Sequence, residues 1–442
     1  MASVLEERQE WWLSDCLRRT HQKRYRRYPT YRLPTMWVFH TNVCLKLFYN
    51  MNAQNTSVHI RLWQYEFWLL AFSEFLLSMS VGMLLPTLPR WLSEEQNLSD
   101  METGLVMGAF GLGLFVLGGF VSYLVQRFRR NLVCIHSMAF MAALLLLLYY
   151  LDTQRYQFAD LSLLMLLRFV MGAVFGLSQM VLCSTLIIDT CESFQRTEAN
   201  YASAWFGRFA LSVGPVAGLL LLRYADFGTV FLTAAGCAVA SMVLVLLVKF
   251  PFRTPDDDVT VFSLDRFFLP HGFPLMLNLW LITLAFGLLL SLTLTLVFYA
   301  MIFVGFIGAL LCWRFVFRDA ELKSEVVSGL ILFGAALLML ITRNGLPIVG
   351  YAAPVFIGLG LGLIGSRFLL FFIKLSRHCQ RGTSQSTFML GWESGIAIGL
   401  GLGICFFKEN APYALFTALL LVIVALVAYQ FSHHWFVRNK NR

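Results

Sequence analysis

Two neighbouring apolar runs, each with an arginine inside it, limit most strongly what this chain can fold into. The first begins LSLLMLLRFVMGAVFGLSQM and contains Arg168; the second covers residues 200–222 and contains Arg208. Each run reaches the about 20 apolar residues that a helix needs to cross a bilayer. A cation inside such a helix is costly unless it faces a polar cavity or a partner. The two runs therefore predict membrane helices that surround a polar pathway.

Composition places the whole chain in the membrane class. Hydrophobic residues make up 58% of the 442 residues and charged residues 13%, whereas soluble domains have about 45–50% and about 25%. The net charge of +9 does not indicate nucleic-acid binding, because most of the 34 Lys and Arg residues fall in segments on one side of the predicted membrane helices. By the positive-inside rule that side is cytoplasmic, so we expect a cytoplasmic (inner) membrane protein with both termini in the cytoplasm.

From Tyr65 onward, apolar runs alternate with short polar links. We predict an all-α integral membrane protein with about twelve transmembrane helices in two six-helix, pseudo-symmetric halves. The continuous run over 275–317 is too long for one helix across a core of about 30 Å, so we divide it near Thr295. The predicted helices lie near 66–89, 103–125, 132–151, 161–188, 200–222, 228–250, 275–294, 297–317, 325–342, 347–374, 384–407 and 412–434.

The polar segments predict the domain boundaries. The N-terminal half covers 61–250 and the C-terminal half 275–435; a cytoplasmic linker, 251–274, has Pro residues near both ends that stop helices. A basic tail follows at 436–442. Aligning the chain with itself after a shift of 185 residues supports an internal repeat of the two halves. The shift aligns Gln195-Arg196 with Gln380-Arg381 and Gly214 with Gly399, and it places Arg208 opposite Glu393.

The basic segment 1–60 has two interpretations. Its Arg, Tyr and Trp content suits an interfacial helix that places Trp11, Trp12 and Leu17 in lipid. Alternatively it is disordered or not translated, because Met51 starts a short polar leader that runs straight into the first predicted span. Both interpretations stay open at this point.

Two motifs resemble one transporter family. Leu164-x-x-x-Arg168-x-x-x-Gly172, followed by Gly176, resembles the fourth-helix signature of the major facilitator superfamily, with Met171 where many members have Gln. Gly214-Pro215-x-x-Gly218 resembles the fifth-helix signature found mainly in its proton-coupled exporters. The resemblance covers roughly Leu62 to Trp435. It implies a secondary transporter that works by alternating access, in which Arg168 resembles the arginine implicated in proton coupling.

A third motif is a degenerate match to the family's gating loop. After the second predicted helix the chain reads YLVQRFRRN, with Gln126, Arg127, Arg129 and Arg130. The family signature has an acid where Gln126 stands, and its Gly is missing here, so the acid that forms the salt bridge in the relatives is absent. The three arginines are also explained as determinants of topology.

Opposite charges at matched depth predict two intramembrane pairs. Glu74 in the first helix matches Arg208 in the fifth, and Arg367 in the tenth matches Glu393 in the eleventh. Carboxylates in such a cavity can bind and release protons, which favours a role in coupling or substrate contact. The alternative is that both are static ion pairs that hold each half together.

The remaining motifs exclude most enzyme classes. Gly360 to Gly365 reads GLGLIG, but it lies inside an apolar run, so we interpret it as helix packing and not as a dinucleotide site. No phosphate-binding loop, hydrolase motif or metal-ligand spacing occurs, and we predict no enzyme, cofactor or metal site.

The function predicted is therefore secondary transport. We expect proton-coupled export of a small organic solute, with a slight preference for anionic or amphiphilic solutes, by a monomer in the lipid bilayer. The alternatives are a proton-coupled uptake symporter and a membrane sensor or scaffold that does not transport.

Overall fold

The computed structural model describes residues 62–156, 160–192, 194–250, 260–317, 322–343, 345–377 and 380–440. Segment 1–60, with Trp11, Trp12 and Leu17, lies outside these residues, as do linker residues 251–259 and the last two residues of the tail. Both interpretations of the N-terminal segment therefore stay predictions.

Twelve spans are long and apolar enough to cross a membrane, and the described residues form no strand. The predicted number of membrane helices is confirmed. In chain order, spans one to twelve consist of the helices Tyr65–Gly82 with Leu84–Glu94, Asp100–Gly113 with Val121–Arg127, Arg130–Thr153, Leu161–Val181 with Ile187–Asp189, Arg196–Tyr224, Phe227–Leu247, Phe273–Leu290, Leu296–Phe315, Leu322–Arg343, Pro347–Leu375, Arg381–Phe407 and Ala411–Asn439.

Local chemistry sets the ends and the breaks of these spans. The long apolar run divides where the sequence predicts, because the Thr295 side chain accepts a hydrogen bond from Phe298 N and caps the eighth span. The second span is interrupted before a 3-10 turn at Gly118–Phe120, and the fourth contains a π-helical turn at Leu182–Leu186. Such π turns are often found at functional sites, and this one lies among buried residues between the two halves.

Because successive spans alternate in direction, Leu62, the linker and Lys440 lie on one side of the bundle. We call this the linker side and the opposite side the far side. On the far side the second and eleventh spans approach closely: a Cβ atom on Gly401 would lie 2.8 Å from the Cα atom of Gly108. An ion pair between Lys408 and Asp100 lies at the end of this contact. The two halves therefore meet on the far side.

On the linker side, residues 260–269 join the halves through hydrogen bonds. The backbone N–H of Arg266 donates to Thr383 Oγ1 at 2.9 Å, and its guanidinium donates to Thr185 Oγ1 at 3.2 Å. The N–H of Ser263 donates to the carbonyl oxygen of Gly119 at 2.9 Å. This segment thus connects the second, fourth and eleventh spans, and the halves are in contact on both sides of the bundle.

Candidate transport cavity

Three cavities between the halves share lining residues. Their volumes are about 510, about 350 and about 230 Å³. Arg168 lines the largest and Glu74 and Arg208 line the second, while Glu393 lines all three. The structure therefore gathers four of the five predicted intramembrane charges around one central space.

Glu74 is held by the fifth span. Its carboxylate accepts a hydrogen bond from the Ser203 hydroxyl, and the side chain is almost fully buried. Gly207 leaves room for it, since a Cβ atom there would lie 3.4 Å from Glu74 Oε1. Glu74 and Arg208 line the same cavity, but among the described residues they form no ion pair within 4 Å. Glu74 and Arg208 are therefore neighbours in one cavity, but they do not form the predicted ion pair.

Arg208 lies among aromatic rings. Its guanidinium carbon is 4.7 Å from the ring centroid of Trp205 and 5.9 Å from those of Phe388 and Trp392. Nη1 donates to Ser366 Oγ at 3.0 Å, whereas Nε and Nη2 are buried and have no hydrogen-bond partner. Stacked rings orient a guanidinium without neutralising its charge.

Arg168 also lacks a counter-ion in the part of the chain that the structure describes. Its guanidinium carbon lies 4.5 Å from the ring centroid of Phe110, and its Nε and Nη1 atoms are buried without a partner. The side chain is only 3% exposed and lines the largest cavity with Glu393. The central space thus contains two guanidinium groups with unused donors.

The predicted pairing of Arg367 with Glu393 is wrong. Arg367 donates through Nε and Nη2 to both carboxylate oxygens of Glu325, in the ninth span, which is fully buried. Glu325 was missed because it stands at the predicted start of that span, where a charge is ordinary. Glu393 is half-buried and makes no hydrogen bond or ion pair with any described residue. Depth along a helix did not reveal which way each side chain points.

The motif glycines lie where helices approach closely. In the fourth span, a Cβ atom on Gly176 would lie 2.8 Å from the carbonyl oxygen of Leu114, and one on Gly172 would collide with that of Phe110. Small residues at four-residue spacing allow such contact. The fourth span therefore packs directly on the second.

The Gly-Pro motif serves the contact between the first and fifth spans. A Cβ atom on Gly214 would lie 3.0 Å from Gly82 Cα, and one on Gly218 would lie 2.6 Å from the carbonyl oxygen of Met83. Pro215 lies beside the same contact and is buried. The motif thus faces the point where the first span is interrupted.

Comparison with known proteins identifies the family. The family model described as Major Facilitator Superfamily matches residues 70–400. The chain belongs to the major facilitator superfamily. It is accordingly a multi-pass membrane protein and, by family and fold, a secondary transporter of a small solute. No curated protein matches the chain significantly.

Solved structures share the fold of this superfamily member. A bacterial homologue of the iron transporter ferroportin, in an outward-facing state, has a TM-score of 0.59 and 14% identity, over 83% of this chain and 98% of that one. The superfamily transporter FucP, in the outward conformation, has a TM-score of 0.57 and 16% identity, over 84% of this chain and 99% of that one. A variant of the nucleoside transporter NupG has a TM-score of 0.60 and 10% identity, over 83% of this chain and 99% of that one. These identities are low, and the likeness is therefore one of fold alone.

The loop that resembles the superfamily's gating motif forms a contact within the N-terminal half. Gln126 Nε2 donates to Ser122 Oγ at 2.7 Å. Arg130, at the start of the third span, forms an ion pair with Asp189 at the end of the fourth. Arg127 and Arg129 lie in and beside the turn between the second and third spans. Sequence analysis missed Asp189, because it lies at a helix end and outside any motif.

Proposed function

We propose that this superfamily member couples solute movement to protons, with Glu393 as the principal proton-binding group. The observation that supports the proposal is the position of Glu393: it lines all three central cavities and has no hydrogen-bond or ion-pair partner among the described residues. A carboxylate without a fixed counter-charge can change its protonation state without breaking an ion pair. Glu74, which the Ser203 hydroxyl holds, is the second candidate.

The contacts between the halves support alternating access. On the far side, the second and eleventh spans meet at the glycine contact and at the ion pair between Asp100 and Lys408. On the linker side, the Arg266 and Ser263 hydrogen bonds join the linker to the spans of both halves. The far-side contact consists of small residues and one ion pair, and the linker-side contact consists of a few hydrogen bonds. Either contact can therefore open while the other persists. The central charges would then face one side at a time.

The charge of the solute decides how protons and solute are coupled. A cationic solute would compete with the proton on Glu393, which gives antiport and export under an inward proton gradient. An anionic solute would bind best when Glu393 is protonated, because the ionised Glu393 carboxylate lines the same cavity and would repel the anion. The free donors of Arg208 favour the anion, and the geometry therefore supports cotransport best.

Export is the second candidate. The Gly214-Pro215-x-x-Gly218 motif favours it, since the motif resembles that of proton-coupled exporters. In the structure these residues pack the fifth span on the first, and this contact does not depend on direction.

The sign of coupling can be measured in liposomes that contain the full chain and an internal pH dye, with no imposed gradient. We expect that a transported solute added outside will acidify the interior, because proton and solute enter together. Alkalinisation would establish antiport and favour export. Solute entry without any change of internal pH would contradict proton coupling in either direction. Protein-free liposomes correct for passive permeation of the protonated solute.

We also propose that the linker side faces the cytoplasm. Lys and Arg residues concentrate on this side, as the positive-inside rule requires. A reporter fused after Arg442 is expected to be cytoplasmic, and one inserted near Glu95 is expected on the opposite side of the membrane. The reverse pattern would invert the orientation, and two reporters on one side would contradict the twelve-span topology.

A further inference from the structure

We propose that Arg208 and Gln385 form a subsite for the carboxylate group of a small organic acid. Both line the cavity of about 350 Å³ that also contains Glu74 and Glu393. The inference depends on the proposed function only in placing the solute in this central cavity. It does not depend on proton coupling, and the two can fail separately.

The free edge of Arg208 has the geometry of a carboxylate site. Nε and Nη2 lie on the same edge of the planar guanidinium, and both are buried without a hydrogen-bond partner. The third nitrogen, Nη1, is already used by Ser366 at 3.0 Å. A carboxylate accepts two parallel hydrogen bonds from such an edge, which a hydroxyl or a single carbonyl oxygen cannot do. The vacant donors therefore select a bidentate anion.

The surroundings of Arg208 hold this edge in place. Trp205, Phe388 and Trp392 flank the guanidinium from the fifth and eleventh spans. Gly365 in the tenth span leaves space for it, because a Cβ atom there would lie 2.9 Å from Arg208 Nε. A guanidinium fixed in this way loses little conformational freedom when an anion binds.

Gln385 supplies a second, independent indication of a ligand. Its side chain is 1% exposed, yet neither the amide nitrogen nor the amide oxygen has a hydrogen-bond partner. Buried amides are nearly always hydrogen-bonded, since leaving both ends unsatisfied is costly. The Nε2 group can donate to the carboxylate of the ligand, while Oε1 can accept from a hydroxyl or amide beside it.

The adjoining space limits the rest of the ligand. The cavity of about 510 Å³ shares Ser78, Gly207 and Glu393 with the subsite, and its other lining residues are mostly apolar. The inferred solute is therefore a compact organic acid with a carboxylate at one end and a mainly apolar body.

Isothermal titration calorimetry on the purified full-length protein in detergent tests the subsite without a gradient. The probes are a panel of linear C4–C12 and aromatic monocarboxylates, each paired with its neutral amide. We expect at least one carboxylate to bind about 10- to 100-fold more tightly than its amide, the range that a hydrogen-bonded charged group contributes. A panel in which no carboxylate is preferred would overturn the proposal.

Substitutions at Arg208 and Gln385 test whether these residues cause the preference for a carboxylate over its amide. Arg208→Gln is expected to remove the preference for the carboxylate over the amide, whereas Arg208→Lys should retain only part of it. The matched control is Arg223→Gln, an exposed arginine at the far end of the same span. Gln385→Leu should weaken carboxylate binding by several-fold. This variant tests the subsite independently if the Arg208 variants do not fold. A carboxylate preference of undiminished size in Arg208→Gln, or in both Arg208→Lys and Gln385→Leu, would place the anion elsewhere.

Discussion

Glu325→Gln is expected to lower the free energy of unfolding by about 3–5 kcal/mol, the range for a broken buried ion pair. The substitution leaves the Arg367 guanidinium, only 8% exposed, without the carboxylate that accepts from two of its nitrogens. Equilibrium unfolding of the purified protein in detergent micelles measures the change. The loss is large because the remaining charge cannot reach water without disrupting the packing of the ninth and tenth spans.

The double variant Glu325→Gln with Arg367→Gln separates charge from packing. Removing both charges should recover most of the lost stability, since no uncompensated ion remains. The control pair, Asp100→Asn with Lys408→Gln, removes a partly exposed ion pair and should cost less than about 1 kcal/mol. The double variant should also transport normally, because neither Glu325 nor Arg367 lines the central cavities described above. A Glu325→Gln variant as stable as the unsubstituted protein would show that the pair contributes nothing.

Glu393→Gln is expected to abolish accumulation of the solute against its gradient. The amide has nearly the same shape but cannot bind a proton that is later released, and solute binding would no longer depend on proton binding. We therefore expect a pH gradient across liposomes to drive no net accumulation, while solute exchange at equal concentrations continues. Radiolabelled uptake with and without the gradient measures both activities on the same preparation.

The control for this experiment is the Glu325→Gln and Arg367→Gln double variant, which removes a buried carboxylate outside the cavities. It should still accumulate solute under the gradient. Glu74→Gln, which removes the other cavity carboxylate, tests whether the two residues share the role. Gradient-driven accumulation that persists in Glu393→Gln and fails in Glu74→Gln would move the proton site to Glu74. Persistence in both would contradict the proposed function.

Much of the candidate site could be predicted as a set of residues but not as a set of contacts. Glu74, Arg168, Arg208 and Glu393 stand out because a charge inside an apolar run is visible in any sequence. That all four line one central space follows from the rotation of each helix and from which helices are neighbours. The buried amide of Gln385 gives no such signal, since an uncharged residue near the start of a span is unremarkable.

By itself, the sequence determined the twelve spans, the break near Thr295 and the family, because hydropathy and motif spacing are local properties of consecutive residues. The tertiary structure alone decided the partners: Glu325 for Arg367, Asp189 for Arg130, and none for Glu393 among the described residues. Transfer of a helix into lipid depends on its own composition, whereas an ion pair depends on two helices that approach at one height and face each other. That second condition is set by packing across the bundle, which no single segment encodes.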